Sequence, residues 1–310
     1  MGKISRILLA IDGSERSFAA AVYIGKVLAK QAEIVLFHVM AGAPEAFRDV
    51  SADPLAEKEN YPLSIWKSYQ EENIYEFMTV ASDILIASGF PKEAISVKTQ
   101  AMRSGVARDI LTESRQGYDV LVVGRTGISK VEDISLGGIA AKLVDEVVHH
   151  PIIVVGEKPE SNKTLIAIDG SAGSMKAVCC AGAWLDPAEC EILLCHVIRP
   201  LSVQPIGVQE LFTPKHEDNW IAANKRKIAP MMNEAKRHLK KAGLSNEQIT
   251  SEILTYQKSR ATAIVTTATK YGYDTIVVGR RGLTDTGEFQ MGRVSRKVLQ
   301  IAYRSTLWIC

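Results

Sequence analysis

The chain has 310 residues, of which 46% are hydrophobic and 23% are charged, and its formal net charge at pH 7 is +2. This composition is typical of a soluble globular protein, and the small net charge argues against a broad electrostatic surface for nucleic acid. No apolar run reaches the roughly 18 residues that a membrane helix needs, and the first residues do not read as a secretory signal.

The first half of the chain alternates short runs of Val, Ile and Leu with longer helical patterns. The short runs predict strands near residues 4–11, 33–39, 95–100, 119–124 and 151–155. The longer patterns predict helices near residues 15–30, 57–89, 104–116 and 138–148, with a candidate break of the second helix at Pro62. Strands without polar alternation are buried on both faces, so this order predicts a parallel sheet that helices cover on each side.

The second half repeats the order of the first. Its strands are predicted near residues 163–168, 191–197, 249–256, 274–279 and 305–309, and its helices near 172–185, 216–242, 259–271 and 293–303. Three segments also recur: ILLAIDGSERS returns as TLIAIDGSAGS, EIVLFHV as EILLCHV, and GYDVLVVGRTG as GYDTIVVGRRG, at offsets of 157, 158 and 155 residues. We therefore predict two α/β domains, at residues 1–157 and 158–310, each a doubly wound, mostly parallel five-stranded sheet flanked by helices.

A long connection follows the second predicted strand of each half. The two connections run from Met40 to about Ala56 and from Ile198 to about Lys215, and they are unlike each other in sequence. Such loops often serve as lids or partner surfaces, and a loosely packed insertion is the alternative.

Repeated residues stand where the predicted strands end. They are Asp12, Val39, Gly124 and Gly137 in the first half, and Asp169, Val197, Gly279 and Gly292 in the second. Ligands of doubly wound sheets bind beyond the carboxyl ends of the strands. A helix N-terminus offers unpaired N–H donors to an anion, and glycine lets the backbone approach it closely. The repeat therefore predicts an anion site at this edge of each half.

The glycine spacing carries a family resemblance. The first half reads Gly124-x2-Gly127-x9-Gly137-Gly138, and the second reads Gly279-x2-Gly282-x9-Gly292-Arg293. Together with the AIDGS segment, the HV of the second strand and the D-x-x-VVG strand, this spacing closely resembles the G-x2-G-x9-G-[ST] motif of universal stress proteins. The resemblance covers essentially the whole chain in two tandem copies.

The resemblance implies an adenine-nucleotide site in each half, for ATP or else ADP or AMP, accompanied by Mg²⁺. Asp12 or Asp169 would contact adenine and ribose, and the backbone of Val39 or Val197 would hold the adenine edge. The glycine loop and the helix N-terminus would hold the phosphates. The implied function is that of a cytoplasmic stress-response protein in which the nucleotide changes a surface for a regulatory protein partner.

Both halves depart from the motif at its hydroxyl position, which Gly138 and Arg293 occupy. Two residues later, where the family often has a second hydroxyl, the chain has Ala140 and Ser295. Each neutral hydrogen bond contributes about 0.5–1.5 kcal/mol, so the first half would bind phosphate more weakly but would still bind it. Arg293 could pair with a phosphate or fill the site with its bulk, while Ser295 keeps a donor.

Two other functions stay open from the residues alone. Ser14 and Ser171 could simply cap helices, and the glycine loops could remain from a binding ancestor, which would leave a nucleotide-free structural or interaction module. An ATP-using enzyme, at most a weak ATPase, is the other alternative. The chain has no GxxxxGK[ST] motif, and His38 and His196, at matching strand positions, are interpreted as structural.

The resemblance also implies that the two halves pair through their last strands, within PIIVVGE at 151–157 and STLWIC at 305–310. Unpaired strand edges invite such association, and pairing of two whole chains into a homodimer stays open. All five cysteines stand in the second half and form no CxxC pair, which favours free thiols and a cytoplasmic location. Neither nucleic acid nor a membrane is an expected partner.

Overall fold

A computed structural model of the chain describes residues 5–42, 61–127, 136–201, 212–283 and 290–310. Most of the two long connections predicted after the second strands lies outside these residues. The same is true of most of the nine-residue segments between the second and third motif glycines of each half.

The described elements follow the predicted order in both halves. Those of the first half are β1 Arg6–Ala10, α1 Glu15–Val27, β2 Glu33–Met40, α2 Tyr61–Ala87, β3 Ile95–Ala101, α3 Val106–Ser114, β4 Val120–Gly124, α4 Gly138–Glu146 and β5 Ile152–Val155. Those of the second half are β6 Lys163–Ala167, α5 Ala172–Trp184, β7 Glu191–Val197, α6 Pro214–Lys241, β8 Ile249–Leu254, α7 Arg260–Tyr271, β9 Thr275–Val278, α8 Arg293–Ile301 and β10 Thr306–Ile309. A short 3-10 turn at Lys92–Ala94 precedes β3.

One predicted helix boundary needs correction. The first helix was expected to reach residue 30, but α1 ends at Val27 because Leu28 turns into an extended conformation and bridges to Leu185 of the second half. The described part of α2 begins at Tyr61 and residues 57–60 lie outside the described residues, so the candidate break at Pro62 stays a prediction. Proline is accommodated in the first turn of a helix, because its missing N–H has no helical partner there.

The strands form one ten-stranded sheet in the order β3-β2-β1-β4-β5-β10-β9-β6-β7-β8. Neighbouring strands are parallel within each half. The halves join where β5 and β10 pair antiparallel, with Ile153 opposite Trp308. The predicted α/β fold is therefore confirmed, and the expected pairing of the last strands turns two five-stranded sheets into one.

Helices cover both faces of this sheet. Helices α1, α2, α5 and α6 pack on one face, and α3, α4, α7 and α8 pack on the other, each layer with its own continuous apolar core. The five cysteines are free thiols, and four of them are buried. Among the helices that the structure describes, none is long and apolar enough to cross a membrane.

A buried polar network joins the halves where β5 meets β10. The Trp308 indole N–H donates to the Tyr23 hydroxyl at 2.8 Å, and the same hydroxyl lies 2.9 Å from the Thr275 hydroxyl. All three side chains are nearly inaccessible to solvent, and burial raises the pKa of Tyr23. Since a buried hydroxyl needs a hydrogen-bond partner, hydrogen bonds as well as packing hold Tyr23 of the first half against the second half.

Candidate functional site

The candidate site of each half begins with a turn just after its first strand. Gly13 and Gly170 adopt φ values of +79° and +83°, which favour glycine. The turn lets Asp12 Oδ1 accept the Ser14 N–H at 3.0 Å, and Asp169 Oδ1 accepts the Ser171 N–H at 2.9 Å. One carboxylate oxygen of each aspartate therefore stabilises the turn, which leaves Oδ2 to face the glycine loop.

Ser14 and Ser171 act as helix N-caps, as one of the alternative interpretations of the sequence predicted. The Ser14 hydroxyl accepts the N–H of Ser17 at 3.2 Å, and the Ser171 hydroxyl accepts the N–H of Ser174 at 3.1 Å. Their hydroxyls thus start α1 and α5. Helix capping and a nearby binding site are compatible, because the cap uses the serine and leaves the second aspartate oxygen in place.

The second motif glycine of each half lies against that aspartate. A Cβ placed on Gly127 would stand 2.6 Å from Asp12 Oδ2, and one on Gly282 would stand 2.6 Å from Asp169 Oδ2. Any side chain at these positions would push the carboxylate away. The structure therefore brings together two sequence-predicted residues that are separated by more than a hundred positions in the chain, and it does so twice.

The sheet register directs the backbone of Val39 toward the same place. The Ile11 N–H donates to the Phe37 carbonyl at 2.9 Å, whereas the Met40 carbonyl accepts from Met102 on the other side of β2. Peptide groups alternate sides along a strand, so those of Val39 point toward β1, past its last residue and next to Asp12. The same alternation holds for Val197, because the Cys195 carbonyl accepts from Ile168 at 2.8 Å.

The first motif glycine of each half is explained by close packing of a helix against it. A Cβ on Gly124 would stand 3.0 Å from the backbone of Arg16 in α1. One on Gly279 would stand 2.5 Å from the backbone of Gly173 in α5. These glycines let the helix approach the end of the strand closely, and a part for them in ligand binding stays a prediction.

The third motif glycine fixes the start of the last helix. The Gly137 N–H donates to the Arg125 carbonyl at 2.8 Å, and the Gly292 N–H donates to the Arg280 carbonyl at 2.8 Å. The donors left for an anion are the N–H groups of the first helical turn, at residues 138–140 and 293–295, because early helical N–H groups have no partner within the helix. We call this turn, together with Gly127 or Gly282, the phosphate cradle of its half.

The positions that depart from the motif differ in how much they are constrained. Among the described residues, no heavy atom lies within 4 Å of a Cβ placed on Gly138, and Arg293 is exposed. The buried Ser295 hydroxyl donates to the Gly279 carbonyl at 2.7 Å, which ties α8 to the end of β9. The hydroxyl that the sequence offered as a phosphate donor therefore already has an internal acceptor, and Ala140 takes its place in the first half.

The two matching histidines serve the fold near the site. His38 Nδ1 lies 2.8 Å from the Ile11 carbonyl, and His196 Nδ1 lies 2.6 Å from the Ile168 carbonyl. A carbonyl accepts only, so each ring donates from Nδ1 and joins the second strand to the end of the first. Burial lowers the pKa of both rings and favours the neutral form. This supports their structural interpretation.

The second half carries two arginines near its site that the sequence reasoning did not single out. Arg199 follows β7, and Arg260 opens α7 after β8. Burial lowers the pKa of Arg260, the positive charge of Arg199 lowers it further, and Asp169 acts in the opposite direction. The three charges thus lie close enough to interact. The corresponding residues of the first half are Ala41 and Val106, and this contrast between the repeats is the sequence signal that could have identified the arginines.

The aspartate of the D-x-x-VVG segment lies at the opposite edge of the sheet. Asp119 Oδ2 accepts the N–H groups of Ser5 and Arg6, and Asp274 Oδ2 accepts those of Glu160 and Ser161. Among the described residues, no three or more His, Cys, Asp or Glu side chains form a group that could hold a metal ion.

A model of the universal stress protein family matches the chain twice, at residues 3–156 and 160–307. The universal stress protein YxiE of Bacillus subtilis (strain 168) is 30% identical over 143 residues, which are 46% of this chain and 93% of that protein. A universal stress protein of Archaeoglobus fulgidus DSM 4304 has a similar fold, with a TM-score of 0.61 at 18% identity over 98% of this chain and 97% of that one. Protein PA1789 of Pseudomonas aeruginosa PAO1 aligns with a TM-score of 0.54 at 16% identity, over 99% of this chain and 92% of its own.

Proposed function

This chain belongs to the universal stress protein family, and we propose that each half binds an adenine nucleotide at the carboxyl edge of its strands. The observation that carries the proposal is the paired approach of Asp12 to Gly127 and of Asp169 to Gly282. In each half, a carboxylate that accepts hydrogen bonds stands beside backbone that donates them. A nucleoside phosphate needs that combination.

In this proposal, the ligand's donors and acceptors are divided between the two sides of the site. The free oxygen of Asp12 or Asp169 accepts from the ribose hydroxyls or the adenine amine. The peptide groups of Val39 or Val197 pair with the adenine edge. The phosphate cradle donates N–H groups to the phosphates at the positive end of the helix dipole. When bound, Mg²⁺ would neutralise phosphate charge.

We expect the two halves to differ in their preference for phosphate number. The second half adds the charges of Arg199, Arg260 and Arg293 around its site. The first half has Gly138 at the start of α4, and no atom of the described residues lies within 4 Å of a Cβ placed there. Guanidinium groups pair strongly with phosphate oxygens. The second half should therefore favour ATP over AMP more than the first half does.

The cellular role we propose is regulatory. Nucleotide occupancy would change a surface that a protein partner reads during the stress response, in the cytoplasm. The competing function is a nucleotide-free interaction module. It draws support from Gly138 and Ala140, which leave the first half without hydroxyl donors, and from the internal hydrogen bond of Ser295.

Two measurements test the nucleotide site. Mass spectrometry identifies any nucleotide released from the purified protein, and calorimetric titration with MgATP counts the sites. We expect two equivalents, Asp12→Ala to remove one, and Asp169→Ala to remove the other. Asp83→Asn, on the exposed face of α2, is the matched control and should change neither. No released nucleotide together with no MgATP binding would refute the proposal in favour of the nucleotide-free module.

A further inference from the structure

Arg125 of the first half reaches across to a helix of the second. It follows β4 directly, and its side chain is only 3% exposed. Its Nη1 donates to the Leu299 carbonyl at 2.8 Å, and its Nη2 donates to the Ala302 carbonyl at 2.9 Å. Both carbonyls lie at the C-terminal end of α8. The guanidinium of one half thus caps the helix whose N-terminus forms the phosphate cradle of the other.

Arg280 makes the reciprocal contact. It occupies the matching position after β9, is 8% exposed, and donates from Nη1 to the Val144 carbonyl at 2.7 Å. That carbonyl belongs to the last turn of α4. The repeat therefore builds the same cross-half cap twice, with each arginine serving the half to which it does not belong.

The backbones of the same two arginines hold the starts of these helices. The Arg125 carbonyl accepts the N–H of Gly137 at the start of α4, and the Arg280 carbonyl accepts the N–H of Gly292 at the start of α8. A closed circuit results, which we call the arginine ring: Arg125, α8, Arg280, α4 and back to Arg125. Both phosphate cradles are part of it.

The side-chain contacts of this ring are buried hydrogen bonds from guanidinium groups. Burial lowers the pKa of Arg125 to about 10, so Arg125 stays charged at neutral pH, and burial also lowers the pKa of Arg280. The last carbonyls of a helix lack partners in the helix and form its negative end. A buried guanidinium that donates to them is hard to replace, since its loss would leave buried carbonyls unsatisfied. In each half, one nine-residue helix connects two such contacts.

We propose that Arg125 and Arg280 are positioning residues that couple the two nucleotide sites through the arginine ring. This inference rests on the proposed function, because it concerns the same two sites. A nucleotide that fixes the start of α4 also fixes Val144, then Arg280, and through the Arg280 carbonyl the start of α8. The ordering cost of the second cradle is then partly met before its own ligand arrives. The coupling is therefore positive, and by linkage it is equal in both directions.

The test is made on a chain with one working site. Asp169→Ala removes the second site without touching the ring, so calorimetric titration with MgATP reports on the first half alone. In that chain, Arg280→Met should weaken MgATP binding by at least about 5-fold, although Arg280 belongs to the other half. Arg296→Met is the matched control. It removes an exposed cross-half contact with Asp145 at 3.0 Å and should change the affinity less than about 2-fold.

Lysine variants keep the test valid if methionine unfolds the protein. A single ammonium can still donate to the Val144 carbonyl, so Arg280→Lys should retain most of the first-half affinity. It cannot span the two carbonyls that Arg125 caps, so Arg125→Lys should weaken the second half, measured in an Asp12→Ala chain. If the two arginines served stability alone, each substitution would weaken MgATP binding equally in the two halves.

Hydrogen exchange supplies a readout that needs no arginine substitution. In the Asp169→Ala chain, MgATP bound to the first half should slow amide exchange in α8 of the second. Unchanged α8 exchange, or an unchanged first-half affinity in Arg280→Met, would overturn the coupling while leaving nucleotide binding intact. Absence of MgATP binding in both halves of the unsubstituted chain would overturn the proposed function and the coupling together.

Discussion

Gly127→Ala is the substitution that tests the site most directly. The added Cβ would stand 2.6 Å from Asp12 Oδ2, where ordinary contact begins at 3.4 Å, so the carboxylate must move by about 0.8 Å. Gly127 is not among the described glycines with positive φ, so alanine brings no backbone strain. The substitution therefore displaces the Asp12 carboxylate and leaves the backbone conformation of Gly127 accessible.

The size of the effect follows from what the carboxylate does. A hydrogen bond to a charged group contributes about 1.5–3 kcal/mol, and a factor of ten in affinity corresponds to about 1.4 kcal/mol. Loss of the contact that we propose between Asp12 and ribose or adenine should therefore weaken MgATP binding in the first half by about 10- to 150-fold. Calorimetric titration in an Asp169→Ala chain measures this half alone.

Gly138→Ser is the matched substitution of opposite sign at the same phosphate cradle. In the described part of the chain, no atom lies within 4 Å of its new Cβ, and its hydroxyl restores the donor that the family motif has at this position. One neutral hydrogen bond of about 0.5–1.5 kcal/mol predicts roughly 2- to 12-fold tighter binding.

Unchanged MgATP affinity in Gly127→Ala, with urea unfolding confirming an intact fold, would refute the assignment of Asp12 to the ligand.

Three further predictions address the second half and the fold. Ser295→Ala should lower the free energy of unfolding by about 0.5–1.5 kcal/mol in urea titrations while leaving second-half MgATP affinity within about 2-fold, since its hydroxyl binds Gly279; a large loss of affinity would instead assign the hydroxyl to the phosphate. Arg260→Gln should weaken second-half binding of ATP more than of AMP and flatten its salt dependence, and equal losses for the two nucleotides would contradict a phosphate contact. Burial lowers the pKa of His38 and His196 below the ordinary 6.5, so the unfolded chain binds more protons below that pH, and the free energy of unfolding should fall as pH drops through and below 6.5; replacing both rings by glutamine should reduce this slope in urea titrations at pH 5 to 8.

Much of the fold is predictable because its signals are local and repeated. Buried parallel strands appear as unbroken apolar runs, and finding the same run twice fixes the order of elements in each half. The end of α1 was missed because Leu28 is removed from the helix by a contact with Leu185, which is distant in sequence. Its helical pattern contains no stop signal. A tertiary contact decided a boundary that local propensity left open.

The candidate site likewise contains some residues that the sequence predicts and others that it does not. Asp12, Gly127 and Gly137 are found from spacing, because a doubly wound sheet brings the ends of its strands together. Arg125 and Arg280 escape notice, because the carbonyls that they cap lie 174 and 136 positions away in the chain. The Gly-Arg pair that recurs in GRTG and GRRG is a visible signal, but its meaning depends on a packing arrangement between halves that spacing does not encode.

The motif glycines carry unequal information about ligand binding. Gly124 and Gly279 are required by the close approach of a helix, so they would persist in a protein that had lost its ligand. The position after the third glycine is occupied by Gly138 in the first half and by the exposed Arg293 in the second. None of the residues that the structure describes packs against a Cβ placed on Gly138. A residue that packs against nothing can change at little cost to the stability of the fold. The departures from the motif are therefore not by themselves evidence that the sites have decayed. Different residues at this position are also expected if the two halves prefer different ligands.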